Sequence, residues 1–236
     1  MANNPQAQAG INSNSIVCDA SSLISITDAG LFGALVIVSR NLTGNLIISE
    51  AVQRESIERP IKNPQYAFSA VRLKRALLDG VFNVAHPNPE TTQKILDLTN
   101  NIFLAGGQNG SPMRIVHQGE AELLALAVDN NLSTLLIDER TTRLFIEDPY
   151  SIKNHMEKEF RTKMWVNQKA LQEFQIMTRG IHAIRSSEII ALAYEMSYFS
   201  KFRELKEKAF ESALYSIKFN GCAISFDEIN EIIKEV

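Results

Sequence analysis

The sequence is short of cysteine, has no glycine-rich phosphate loop, no long apolar run and no excess of positive charge. Each shortage removes a class of protein. Cys18 and Cys222 are the only 2 cysteines. They form no metal or redox motif, and in a chain able to build its own core they are expected to be reduced and buried. No apolar stretch reaches membrane-spanning length, and residues 1–15 have neither the basic start nor the apolar centre of a signal peptide. The expectation is a cytoplasmic protein with no membrane partner. The formal net charge is −3, so the chain lacks the overall basic field of a module that only binds nucleic acid. Neither G-x-x-x-x-G-K-[ST] nor G-x-G-x-x-G occurs, and Asp19 has no second Asp two residues later. A phosphatase or nucleotide-binding α/β enzyme of another class is therefore a weak reading.

The 236 residues are 45% hydrophobic, enough to bury a substantial core. Residues 15–19 (SIVCD) read as a short buried strand ending in an acid, followed by apolar residues at helical spacing through Leu35. Leu46-Ile47-Ile48 is a second strand, and Ser49 caps a helix that Pro60 and Pro64 stop. Residues 67–78 read as a helix, 81–84 as an edge strand, 89–104 as a helix and 105–112 as a flexible loop. Residues 119–130 (GEAELLALAVDN) form the clearest helix, and 133–138 (STLLID) a central strand again delivering an acid at its end. Further on, 163–166 and 181–184 read as strands, and 169–177, 187–199, 204–219 and 225–236 as helices. Strands alternating with helices predict a mainly parallel sheet, whose ligand crevice lies beyond the carboxyl ends of the strands. The expected division is a disordered tail at 1–14, a catalytic core at 15–147, and an extension at 148–236 contributing a last strand and helices.

Four acids stand out by position. Asp19 and Asp138 end strands, Glu55 lies about a turn and a half into the helix after the second strand, and Glu120 opens the apolar helix. Clustered carboxylates suit Mg²⁺ or Mn²⁺, which prefer oxygen ligands and activate water for phosphodiester hydrolysis. Glu120 and Glu122 lie about 200° apart around a helix, so they cannot share a face. Glu120 aligns with the more apolar stripe, where an acid is costly unless paired or metal-bound. It is the better ligand candidate. Each acid also has a bland reading: a strand-end Asp often caps the next helix, Glu55 could be a solvated helix residue, and Ser21 could be a cap. Glu50 reads as a helix-start charge and Glu139 as a neighbour of the cluster. Arg140 and Arg143 could contact substrate or pair with nearby acids. The basic runs at Arg72, Lys74 and Arg75, and at Lys201, Arg203, Lys206 and Lys208, read first as solvated helix faces.

The segments VCDASSLI, ISEAVQRESI, GEAELLALA and LLIDERTTR together resemble the PIN-domain ribonucleases, a family that includes the toxins of many toxin–antitoxin pairs. The resemblance covers roughly residues 16–145, plus a final strand near Ile181. It implies an α/β/α three-layer sandwich with a mainly parallel central sheet, here with a helical C-terminal extension. It also implies a metal-dependent endoribonuclease acting on RNA. Matched position by position, the family's acids fall on Asp19, Glu55, Glu120 and Asp138 as metal ligands for Mg²⁺ or Mn²⁺, with Ser21 as the small hydroxyl residue after the first acid. Glu at the third acid rather than Asp, and the long extension, depart from the compact toxin pattern and point as readily to RNA processing. An antitoxin or other protein partner and a homodimer are expectations of the resemblance. The rival reading is a catalytically inactive PIN-like scaffold that binds RNA or a protein.

Overall fold

Successive residues of the central strands point into two separate cores, and this alternation builds the molecule. The protein's structure, a computed structural model, describes residues 11–235. In β1 (Ile16–Cys18), Ile16 and Cys18 enter one core and Val17 the other. In β2 (Leu46–Ser49), Leu46 and Ile48 join the first and Ile47 the second. All these side chains are buried, the pattern of a sheet covered on both faces. β1 and β2 pair in parallel with each other and with β3 (Phe82–Ala85), β6 (Thr134–Leu136) and β8 (His182–Ile184) in the order β3-β2-β1-β6-β8.

On the first face lie α1 (Ala20–Asp28), α2 (Phe32–Asn41), α4 (Ala67–Leu78), α10 (Ser186–Glu195), α11 (Lys206–Phe219) and α12 (Phe226–Glu235). On the second lie α5 (Pro89–Thr99), α6 (Gln118–Asp129), α7 (Arg140–Glu147), α8 (Pro149–Phe160) and α9 (Gln168–Met177). The result is the three-layer α/β/α sandwich with a parallel sheet that the sequence implied. The connections run β1-β2-β3 over one face and then return to β6 and β8 over the other. The order therefore reverses beside β1, and a crevice opens at such a switch point.

Several elements depart from the sequence reading. The expected helical run from Ala20 to Leu35 breaks in two at Gly30, whose φ of +75° favours glycine. The helix expected over 89–104 stops at Thr99, because Phe103 belongs to β4 (Phe103–Ala105). That strand pairs antiparallel with β5 (Ser111–Pro112) and β7 (Met164–Val166), forming a second small sheet. A partner some sixty residues away is invisible to local periodicity. The loop expected over 105–112 is thus partly strand. Helix α8 was not expected, although Asp148, which caps it through Ser151 N at 3.2 Å, and Pro149 at its first position mark a helix start.

The first ten residues of the expected tail lie outside the described residues. Its end does not match a free tail, because Asn12 Nδ2 donates to the Thr43 carbonyl at 2.8 Å and Asn14 Nδ2 to Thr43 Oγ1 at 2.6 Å. Among the described residues no helix is long and apolar enough to cross a membrane.

Candidate active site

The sheet reversal beside β1 sets where the acids can meet. Asp19 follows β1 directly and is held there by its own N–H, which donates to the Leu136 carbonyl at 2.9 Å. Its side chain caps α1, accepting from Ser21 N at 3.0 Å and from the Ser21 hydroxyl. A β-region Asp with a hydroxyl residue two places on is a strong helix start. Ser21 is thus bound to Asp19 itself. Burial pushes the Asp19 carboxyl up from its ordinary value, the Ser21 hydrogen bonds oppose this, and the charge of Glu139 adds to it.

Ser49 ends β2 and caps α3 (Glu50–Gln53), accepting from Val52 N at 3.2 Å. The helix then widens into a π turn over Arg54–Glu58, where Arg59 N donates to the Arg54 carbonyl at 2.9 Å. Such turns concentrate at functional sites, and this one carries Glu55. Glu55 is exposed, yet its carboxyl is raised by partial burial and by the charge of Asp19, with Arg59 opposing. Glu50 points elsewhere, to Arg54 at 3.6 Å and His86 at 3.4 Å.

Glu120 sits in the first turn of α6 and its carboxylate accepts from the His117 N–H. It is half-buried and its carboxyl is raised, chiefly by burial, with Glu139 and Asp19 adding and His117 opposing. Glu122 lies around the helix, as the 200° separation required, and accepts from Gln118 Nε2 at 3.3 Å.

The two adjacent acids after β6 part company. Asp138 is 0% exposed, and both its oxygens are taken by the first residue of α10. Ser186 N donates at 2.7 Å, as does Ser186 Oγ. Asp138 thus caps a helix that begins 48 residues later. Its neighbour Cys222 is a free thiol pushed up to about 12 by burial and by Asp138. Glu139 is the residue whose charge reaches Asp19 and Glu120. Its carboxylate meanwhile caps α7, accepting from Thr141 N at 2.8 Å and Thr142 N at 2.7 Å. The structure therefore sets Glu139 within electrostatic reach of Asp19 and Glu120, and Glu55 within reach of Asp19, while Asp138 is engaged by Ser186. Period-two alternation gives only the face: Leu136 faces the first core and Ile137 the second, so Asp138 returns to the first side, which α10 happens to cover.

Of the two arginines left open by the sequence, Arg143 leans on Glu147 at 3.8 Å, with its buried Nε lacking a hydrogen bond among the described residues. Arg140 is exposed.

Asp19, Glu55 and Glu120, all raised, and the Glu139 charge beside them suit a hard divalent cation in chemistry, since all offer oxygen and, among the described residues, no lysine or arginine is bonded to them. Among the described residues no three His, Cys, Asp or Glu side chains are placed to hold an ion together. The carboxylates of Glu120 and Glu139 instead accept from N–H groups at the starts of their own helices. An ion would compete with those N–H groups for the same oxygens.

The class the fold defines is a parallel α/β/α sandwich with acids near its switch point. The family model of the PIN domain matches residues 15–148, more than half of the chain, and the chain belongs to that family. PIN domains are generally nucleases and typically use divalent metals. No curated protein matches the chain in sequence.

Proposed function

We propose that the protein is a metal-dependent endoribonuclease that hydrolyses single-stranded RNA at the Asp19 cluster. One observation carries this reading: besides burial, Asp19 pushes the Glu55 and Glu120 carboxyls up and Glu139 pushes up Asp19 and Glu120, a set drawn from four segments. Uncompensated acids in such proximity are a standing cost that a divalent cation removes. Asp19, Glu120 and Glu139 would hold Mg²⁺ or Mn²⁺, with Glu55 completing the set or orienting water. A bound ion supplies charge relief on the phosphate and activates the attacking water. Ser21, through its hydrogen bonds, fixes the Asp19 carboxylate in one rotamer. In this assignment Asp138 is a positioning residue that anchors α10 behind the end of β6. We place the activity in the cytoplasm, a setting that suits two buried, unpaired cysteines.

Labelled single-stranded RNA should be cut in Mn²⁺ and left intact in EDTA. Equal cleavage in both, or none with any divalent ion, rejects the reading. Glu139→Gln should remove cleavage with little loss of stability, whereas Asp138→Ala should melt lower. The latter strands the Ser186 N–H and hydroxyl at about 1–3 kcal/mol. Paired activity assays and thermal melts separate the two roles.

Ion binding should also show in stability. The carboxyls of Asp19, Glu55 and Glu120 are raised in the folded state. Their effect on stability is therefore absent below the ordinary carboxylate range and becomes a loss as pH rises through the folded values. Metal-free protein should melt progressively lower as pH is raised from about 4. Mn²⁺ at about a hundred times its Kd should restore about 2.7 kcal/mol at neutral pH, roughly 5–10 °C for a chain this size. A Tm indifferent to Mn²⁺ would favour the other reading, a non-catalytic PIN-like scaffold binding RNA or a protein partner. The backbone capping of Glu120 and Glu139 is the feature that supports that alternative.

A further inference from the structure

Two segments lead away from the acids and become opposite walls of one cleft. One is residues 113–115, which run directly into His117 and Glu120; the other is Arg140 and Thr141, which follow Glu139. Between them and α8 lies a cavity of about 320 Å³, at the lower end of the range for small-ligand sites, about 300–1,000 Å³. Its floor is apolar, with Ile152 and Met156 buried and Leu144 and Ile115 half-buried. Its rim carries Arg114 and Arg140, both exposed and, among the described residues, without a hydrogen-bond or ion-pair partner. Phe160, 53% exposed, closes the far end. The one acid on the rim, Glu159, is engaged by His155 at 3.5 Å. A larger cavity, about 880 Å³ around Tyr150 and Trp165, lies against the small sheet and shares no lining residue with the acid cluster.

Apolar side chains, an exposed aromatic ring and two guanidinium groups without a partner among the described residues, on segments continuous with the acids, match one chemistry. We infer that this cleft seats a nucleotide of single-stranded RNA beside the scissile phosphate: Phe160 and the apolar floor take the face of its base, and Arg114 and Arg140 take the phosphates that flank it. This rests on the nuclease reading of the acid cluster. Helix α8 begins at Pro149, beyond the residues that the PIN model matches, so part of the subsite's lining lies outside that match. It makes the enzyme sensitive to the base at one position next to the cut, in a strand that is unpaired there, because a paired base could not enter.

The test is fluorescence anisotropy of a short labelled single-stranded RNA in EDTA, where hydrolysis does not compete, with full-length wild type and two variants. All substitutions fall on exposed side chains, and melts confirm the fold. Arg114→Ala with Arg140→Ala should weaken binding and lower the salt-dependence slope by about 1.4, the loss of two single-strand phosphate contacts. Phe160→Ala should weaken binding about tenfold, the scale of one base–aromatic stack, with the slope unchanged. If both variants bind as wild type does, or if wild type binds no RNA, the cleft is not the subsite. Binding that depends on these residues in a protein inert with Mn²⁺ would sink the nuclease reading and leave the cleft standing. Mn²⁺-dependent cleavage with unaltered variants would do the reverse.

Discussion

Asp19→Asn is expected to lose Mn²⁺-dependent RNA cleavage by roughly three orders of magnitude, the scale of removing a preorganised charge at a reacting phosphate, while its metal-free melting temperature at neutral pH stays the same or rises. The two halves of this outcome have one cause. Asp19 is shared by the group: its charge raises Glu55 and Glu120, and Glu139 raises it in turn. Because burial raises its carboxyl in the folded state, ionising it costs stability as pH climbs through that folded value, and a neutral amide avoids the cost. Asn keeps the other duty of the side chain, since it caps helices about as well as Asp and can still accept from Ser21 N. A stability loss of several kcal/mol would show that Asp19 is held mainly as a structural cap. Full activity in the variant would remove the acid cluster from the chemistry altogether. Gel assays of labelled RNA and thermal melts on one preparation give both readings.

The centre of the sheet was legible in the sequence because β1 and β2 are short apolar runs buried on both faces, and local pattern is enough for that. Three of the acids proposed for the site stand out in the sequence for a related reason: strand ends and helix starts fix where Asp19, Glu55 and Glu120 can go. The fourth does not, because Asp138 and Glu139 are neighbours and a single residue reverses which side of the sheet a side chain meets. The decision rests on Ser186, 48 residues away, and on which core α10 covers. The π turn under Glu55 was equally hidden, since its register shift depends on packing against α1 and α4 rather than on a sequence signal. Of the small sheet only β7 was expected; β4, β5 and α8 lack local apolar periodicity, and it is α8 that lines the cleft beside the acids.

That long-range dependence carries the other large expected effect: a fragment ending at residue 148, the limit of the family match, should not fold. The central sheet loses its edge strand β8, which pairs in parallel with β6 through Leu135 and Ala183. The first core loses Ile189, Ile190, Phe199, Leu214 and Ile217, and the second loses Phe174. These six are buried to 2% exposure or less, and each contributes about 1.5–3 kcal/mol by leaving water. Their sum rivals the 5–15 kcal/mol that is the whole stability of a typical domain. Asp138 would be left fully buried only in name, its carboxylate without the Ser186 N–H and hydroxyl. The lost segment is itself tied together by Arg185, which reaches Glu188 at 2.9 Å and Glu228 at 2.7 Å. Burial works against Arg185, but these two acids hold its guanidinium well above its ordinary range, and it helps bring Glu228 down to about 2. Residues 1–148 should give a circular dichroism signal without a cooperative melt and be cleaved rapidly by protease under conditions that spare the full chain. A sharp thermal transition in that fragment would show instead that the C-terminal helices dock on a finished domain, and Asp138 would then need another explanation for its burial.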